Sequence, residues 1–172
     1  QIEIMNYNYG GGSSDTPALD DEMLKTIREQ EHVVAATPYY QAQNFNGLLN
    51  AGKKARYQSY AYNIYGMFPD ATEAMGFTLQ SGQWLTDSMN YGKNKIPVLV
   101  GQNFAYSFYD SRKSENSPKR QRYAGDTDAA GNPVQPFFDI NKETITLTYT
   151  DSDNKVAATY ELVIVGLMTT AY

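Results

Sequence analysis

The sequence predicts an α+β fold in which a β-α-β lobe precedes a second lobe rich in β-strand. Two observations predict this fold. A long amphipathic helix pattern occurs once, early in the chain, between Asp15 and Gln30. Downstream, short apolar or tyrosine-rich segments alternate with turn residues, which is typical of strands. We therefore place residues 1–45 in the first lobe and residues 46–172 in the β-rich lobe.

The first lobe is predicted to contain two strands joined by a helix. Gln1 to Tyr9 reads as a strand that ends at a run of glycines and serines. A helix follows as far as about Gln30, because Asp15 or Thr16 can cap it and the next residue is a proline. Val33 to Tyr40 is β-branched and apolar at its start, so it predicts a return strand parallel to the first one.

The second lobe is predicted to begin and end with a hairpin. The first hairpin is rich in tyrosine and has the arms Tyr39–Leu49 and Arg56–Met67. The later elements are a helix around Ala71–Met75, a strand at Phe77–Trp84, a strand at Pro97–Val100, a helix at Gln102–Tyr109 and a final hairpin of Thr144–Thr150 with Val156–Gly166. Residues 110–135 are polar and predict a long loop or a disordered insertion.

Composition excludes several classes of function. The net charge of −5 argues against a nucleic-acid partner, because phosphate binding needs clustered Lys and Arg. The chain has no cysteine, so it has neither a disulfide framework nor a thiolate metal site. Its longest apolar run, Leu162 to Met168, is far shorter than the ~20 residues that span a bilayer. We expect this segment to be soluble by itself.

No residue pattern predicts a catalytic, cofactor or metal site. The Gly10–Asp15 run lacks the spacing and the lysine of a phosphate-binding loop. His32 is the single histidine, and its place after the helix favours a surface or cap position over a catalytic one. The acidic residues Asp20–Glu22 match the positive end of the helix dipole. Asp126–Asn132 opens like a calcium loop, but Phe137 stands at the closing position, where glutamate is required.

Five basic residues lie close together within the polar loop. They could contact an anionic cell-surface polymer or lipid headgroups, although a solvated loop is the default interpretation. They are Arg112, Lys113, Lys119, Arg120 and Arg122.

The order of three short stretches carries the strongest functional signal. They are Phe77–Asp87 (FTLQSGQWLTD), Ile96–Ala105 (IPVLVGQNFA) and Leu162–Leu167 (LVIVGL). With a Val33-to-Pro38 step and a Tyr65-to-Pro69 step upstream, this order resembles the extracytoplasmic core domain of MacB/FtsX-type ABC transporter permeases. Gln83 departs from the pattern, since the family commonly has arginine after the glycine at that point. Family members also continue beyond the last strand with another strand and helix.

The resemblance implies a MacB periplasmic-core-like fold and a domain that performs no chemistry. The domain would lie on the extracytoplasmic side of a bacterial cell membrane and couple cytoplasmic ATP hydrolysis to export, efflux or an outer-face conformational change. Its implied partners are the transmembrane helices of its own full-length chain, a cytoplasmic ABC ATPase, a second permease copy or homologue, and an extracytoplasmic protein. Two alternatives stay open: an FtsX-like domain that activates a cell-wall hydrolase, and a secreted carbohydrate-binding module whose tyrosines stack on sugars.

Overall fold

A computed structural model describes residues 2–4, 18–41, 47–153 and 155–169. Its architecture is α+β and mostly β. The helices are α1 (Asp21–Arg28) and α2 (Pro69–Ala74), and Phe104–Ser107 forms a 3₁₀ turn. The strands are β1 (Tyr40–Gln41), β2 (Gly47–Ala51), β3 (Tyr57–Tyr60), β4 (Tyr65–Gly66), β5 (Thr78–Gly82), β6 (Lys95–Gly101), β7 (Tyr109–Asp110), β8 (Ile145–Thr150) and β9 (Val156–Thr169).

The long last strand, β9, organises a seven-stranded sheet. The strand order is β5-β9-β8-β2-β3-β7, and β6 also pairs with β9. Strand β8 runs antiparallel to residues 156–162 of β9, and β5 runs antiparallel to residues 166–169. Strand β6 runs parallel to residues 161–168 and overlaps both partners along β9, so it lies on the opposite edge of that strand. All other pairings in this sheet are antiparallel.

The core lies on one face of the strands β2, β3 and β8. Buried and half-buried residues alternate along β2 and β8, as expected for strands with one face against a core. Phe108 has no exposed surface and meets the rings of Phe104 and Phe138 edge to face, with centroids 5.4 and 5.0 Å away. The other buried members of this cluster are Leu49, Ala51, Ala61, Ile145 and Leu147.

The first lobe differs from the prediction. Residues 2–4 are irregular, and the rest of the Gln1–Tyr9 prediction lies outside the described residues. Helix α1 begins later than predicted, because Asp20 caps it: its carboxylate accepts a hydrogen bond of 2.9 Å from the amide of Met23. The predicted caps, Asp15 and Thr16, also lie outside the described part of the chain.

The strand predicted at Val33–Tyr40 is wrong over most of its length. Residues 33–39 are irregular, and the short β1 that follows pairs antiparallel with β4. The carbonyl oxygen of Ala36 accepts a hydrogen bond from the Arg28 side chain, 2.8 Å away, and Val34 is 91% exposed. This segment is therefore held by a side chain of α1 and not by a strand ladder. The division of the chain at residue 45 stays a prediction.

Most elements predicted for the second lobe are confirmed, with bounds that differ by a few residues: β5 and β8 are shorter than predicted, and β6 and β9 are longer. Strands β2 and β3 form the tyrosine-rich hairpin, β8 and β9 form the final hairpin, and α2, β5 and β6 occupy their predicted places. The predicted second arm, Arg56–Met67, is divided in the structure: β3 ends at Tyr60, residues 62 and 63 form a turn, and Tyr65–Gly66 forms β4. The predicted helix at Gln102–Tyr109 is only a 3₁₀ turn followed by β7.

Candidate functional site

The three stretches that carry the family resemblance lie side by side in the sheet. Phe77–Asp87 contains β5, Ile96–Ala105 contains all of β6 except Lys95, and Leu162–Leu167 lies in the second half of β9. Strands β5 and β6 both pair with β9, at overlapping positions on its opposite edges. Segments that are distant in sequence therefore form one three-stranded unit.

Two glycines allow β5 to approach β9 closely. Gly82 and Gly166 are register partners, and Gly82 has a φ of +85°, which favours glycine. A Cβ at Gly82 would lie 2.3 Å from the carbonyl oxygen of Val165 and 2.7 Å from the Cα of Gly166. These contacts are with backbone atoms that cannot move aside easily. Both glycines belong to the quoted motifs, and the packing gives a physical reason for each.

The two upstream motif steps also meet each other. The amide of Phe68 donates a hydrogen bond of 2.7 Å to the hydroxyl of Thr37, and the rings of Tyr39 and Tyr65 stack with centroids 4.6 Å apart. Arg28 pairs with Asp70 at the start of α2 and lies over the ring of Phe68, 5.3 Å from its centroid. Helix α1 is thus tied to the start of α2 through one arginine.

A buried ion pair fixes the start of the polar loop. Asp110 is 1% exposed, and its carboxylate accepts from the guanidinium of Arg56 at 2.6 and 3.1 Å and from the amide of Arg112 at 3.1 Å. The hydrogen bonds from Arg56 lower the pKa of Asp110, and the amide of Arg112 acts in the same direction. Asp110 therefore stays ionised and holds the loop against β3.

The polar loop is built from turns, and two of its arginines lie over aromatic rings. The guanidinium of Arg120 lies 4.2 Å from the ring centroid of Tyr109 and donates to the carbonyl of Lys113 at 2.6 Å. Arg122 lies over the ring of Phe137 at 4.4 Å and donates to the carbonyl of Gln135 at 2.8 Å. At least these two members of the predicted basic group have structural partners.

A concavity of about 460 Å³ opens between this loop and strand β3. Tyr109 lies deeper in it and donates a hydrogen bond of 3.3 Å to Gln58, whereas Tyr60 and Tyr123 are 56% and 61% exposed. Burial is the main cause that raises the pKa of Tyr109, and a hydrogen bond with Tyr60 is the second, so the Tyr109 hydroxyl stays protonated. The lining residues are Tyr60, Tyr109, Glu115, Ser117, Pro118, Arg120, Gln121 and Tyr123. We call this surface the tyrosine concavity.

The rings around the concavity are arranged as a platform. Tyr60 stacks on Tyr62 with centroids 5.3 Å apart and is tilted against Tyr109 at 6.1 Å. Tyr60 and Tyr123 thus present ring surface at the rim, while the ring of Tyr109 contacts the guanidinium of Arg120. Such a surface combines flat apolar faces with hydroxyl groups, the guanidinium of Arg120 and the carboxylate of Glu115, which are groups that can bind a ligand.

The other residues considered from sequence stand apart from this surface. His32 is an exposed residue with a φ of +69° whose ring lies 3.4 Å from the carboxylate of Glu31. Asp20 caps α1, and Asp21 and Glu22 occupy its first turn, as the helix-dipole interpretation predicts. The Gly10–Asp15 run lies outside the described residues.

The segment that opens like a calcium loop is a turn closed on itself. Thr127 forms a bridge with Pro133, and one carboxylate oxygen of Asp128 accepts from the amides of Ala130 and Asn132, each at 2.9 Å. The hydrogen bonds from Asn132 lower the pKa of Asp128. Across the described residues, no group of three or more His, Cys, Asp or Glu side chains is placed to hold a metal ion.

The helices in the described ranges are all too short or too polar to cross a bilayer. No family model, curated protein or solved structure matches this chain.

Sequence reasoning missed the tyrosine concavity as a site. One signal was available: the alternation along the predicted arm Arg56–Met67 places Tyr60 and Tyr62 on one face, and Tyr57 and Ser59 on the other. In the structure, Ser59 is buried and Tyr60 is exposed, so the first set faces outward. The approach of Tyr123 and Arg120 to that face depends on how the loop folds back, which no local pattern predicts.

Proposed function

We propose that this chain is a non-catalytic extracytoplasmic domain of a MacB/FtsX-type ABC transporter permease subunit. It would couple ATP hydrolysis on a cytoplasmic ATPase to export, efflux or a conformational change at the outer face. One observation carries the proposal: the stretches that resemble the family are neighbours in space, with Gly82 packed against Gly166. If the resemblance were accidental, nothing would require three distant stretches to form one unit.

The packing between the upstream motif steps supports the same proposal. The Thr37 and Phe68 segments are joined by a hydrogen bond, and Arg28 connects α1 to α2. A domain that transmits motion must be stiff between its membrane-proximal and outer ends, since a soft connection would absorb the displacement. The Arg28–Asp70 pair joins α1 to α2, and the ladder along β9 joins β5, β6 and β8; these are the connections that such a domain would use.

Labelling of the full-length protein in intact cells tests the proposed location. This segment contains no cysteine, so Ser114→Cys adds a unique thiol to an exposed part of the loop. We expect a membrane-impermeant maleimide to label the variant in intact cells, and the labelled protein to be in the membrane fraction. The parent protein without the substitution is the control for thiols elsewhere in the chain.

The opposite result would overturn the proposal. A full-length protein found in the soluble fraction, with Ser114→Cys labelled only after lysis, has no place in a permease. A protein that is secreted free of the membrane would instead favour the carbohydrate-binding module, whose supporting feature is the tyrosine concavity. The same experiment therefore separates the two candidate functions.

A further inference from the structure

We propose that the tyrosine concavity binds an anionic saccharide. In this assignment a sugar ring stacks on Tyr60 or Tyr123, and a carboxylate of the sugar pairs with Arg120. The inference rests on the proposed function, because it takes the domain to lie at the outer face of a cell, where such polymers occur. It deepens that function by naming what the domain contacts there.

The stacking part of the inference follows from ring exposure. Tyr60 and Tyr123 are both more than half exposed, and although Tyr60 stacks on Tyr62, the larger part of its surface still faces solvent. A pyranose ring presents a flat C–H face surrounded by hydroxyls, which matches an apolar ring with a polar rim. Tyr109 is not the platform, because the guanidinium of Arg120 already lies 4.2 Å from its centroid.

The charge of the ligand follows from the residues around the concavity. Residues 110–123 contain five Lys or Arg side chains and two carboxylates, in a chain whose net charge is −5. One of the two carboxylates, Asp110, is already paired with Arg56, so the segment is positive within an acidic protein. The lining itself carries one basic and one acidic side chain, Arg120 and Glu115, so the positive excess comes from the residues that flank the concavity. A positive field beside a concavity raises the concentration of anions near it.

Arg120 is held ready for a carboxylate. Its guanidinium is fixed by the ring of Tyr109 on one side and by the carbonyl of Lys113, 2.6 Å away. A guanidinium that is already oriented loses little freedom when it pairs with a planar carboxylate through two hydrogen bonds. Glu115 and Ser117 also line the concavity and offer acceptors and a donor to sugar hydroxyls.

Titration calorimetry of the protein with two matched sugars tests the inference. Tetragalacturonic acid carries carboxylates, and (1→4)-linked galactotetraose has the same ring type without them. We expect the acid to bind about tenfold more tightly than the neutral sugar, the factor expected of one good charge-assisted pair. Arg120→Gln should abolish that preference, because the variant lacks the charge that would pair with the carboxylate.

Variants of the rim separate stacking from general attraction. We expect Tyr60→Ala and Tyr123→Ala each to weaken binding of the acid about tenfold, since each removes one stacking face. Tyr91→Ala is the matched control, because Tyr91 is an exposed tyrosine that does not line the concavity. Thermal melting of each variant checks that these surface substitutions leave the fold intact.

Several outcomes would overturn the inference. They are no binding of the acid up to about 10 mM, equal affinity for both sugars, and an equal effect of Tyr91→Ala and Tyr60→Ala. Binding of decaproline or of phosphatidylglycerol vesicles, lost in the rim variants while the acid does not bind, would assign the surface to a peptide or a lipid. The maleimide experiment is independent, so a permease that fails the titration loses only this site.

Discussion

Replacing Gly82 by alanine should destabilise the pairing of β5 with β9, and the loss in free energy of unfolding can be worked out from the structure. Two terms add. Alanine at a φ of +85° costs about 1–3 kcal/mol in backbone strain. Its Cβ would also lie 2.3 Å from the carbonyl oxygen of Val165, and relieving such overpacking costs about 1–3 kcal/mol. We therefore expect a loss of about 2–6 kcal/mol, a large part of the stability of one domain.

Two other glycines in the chain separate these terms. Gly92 has a φ of +98°, but the position that a Cβ would take there has no neighbouring atom within 4 Å, so Gly92→Ala should show the strain term alone. Gly101 has neither a positive φ nor a contact, so Gly101→Ala should be close to neutral. Urea unfolding followed by circular dichroism measures all three variants. If Gly82→Ala is no worse than Gly92→Ala, the close approach of the two strands is refuted.

Two further predictions concern the core and the loop. Phe108→Ala should cost about 3–5 kcal/mol in urea unfolding, because Phe108 has no exposed surface and contacts two other phenylalanine rings; a cost below about 1 kcal/mol would contradict this packing. The pKa of Asp110 is lowered in the folded state, so its contribution to stability is complete above the ordinary aspartate pKa and is lost as the pH falls through the lowered value. Asp110→Asn should therefore be less stable than the parent at neutral pH, and the difference should shrink on acidification; a difference that is constant with pH would show that the carboxylate charge is not involved.

The strands were predictable where the sequence is apolar on its own. Ile96 to Val100 and Leu162 to Leu167 are β-branched or leucine-rich runs, and both are strands. The turn at residues 151–154 between two such segments predicts the β8–β9 hairpin, which is confirmed. Local propensity and tertiary pairing agree in these places.

Prediction failed where pairing decides the outcome. Val33 and Val34 favour a strand by propensity, but this segment lies against Arg28 and the start of α2 and joins no ladder until Tyr40. The strand propensity of a residue reflects how its side chain packs on a neighbouring strand, so it does not stabilise a strand where no such neighbour is present.

The site was the least predictable part. Arg56 and the buried Asp110 form an ion pair although 54 positions separate them in the chain, and the sequence around each gives no sign of the other. The composition of residues 110–135 predicts a solvated loop, yet Arg120 lies over the ring of Tyr109 in β7 and Arg122 lies over the ring of Phe137. Contacts between a cation and a distant ring leave no periodic pattern in a sequence.

Our central claim is that this domain is moved from within the membrane. Spin labels on Gln80→Cys, an exposed position of β5, report the distance between the two copies in a reconstituted permease and ATPase complex. We expect pulsed electron paramagnetic resonance to show one distance distribution without nucleotide and a shifted one with ATP. With a hydrolysis-deficient ATPase, we expect the distribution to keep its ATP form and not to return to the nucleotide-free form. Identical distributions in all nucleotide states would contradict the claim.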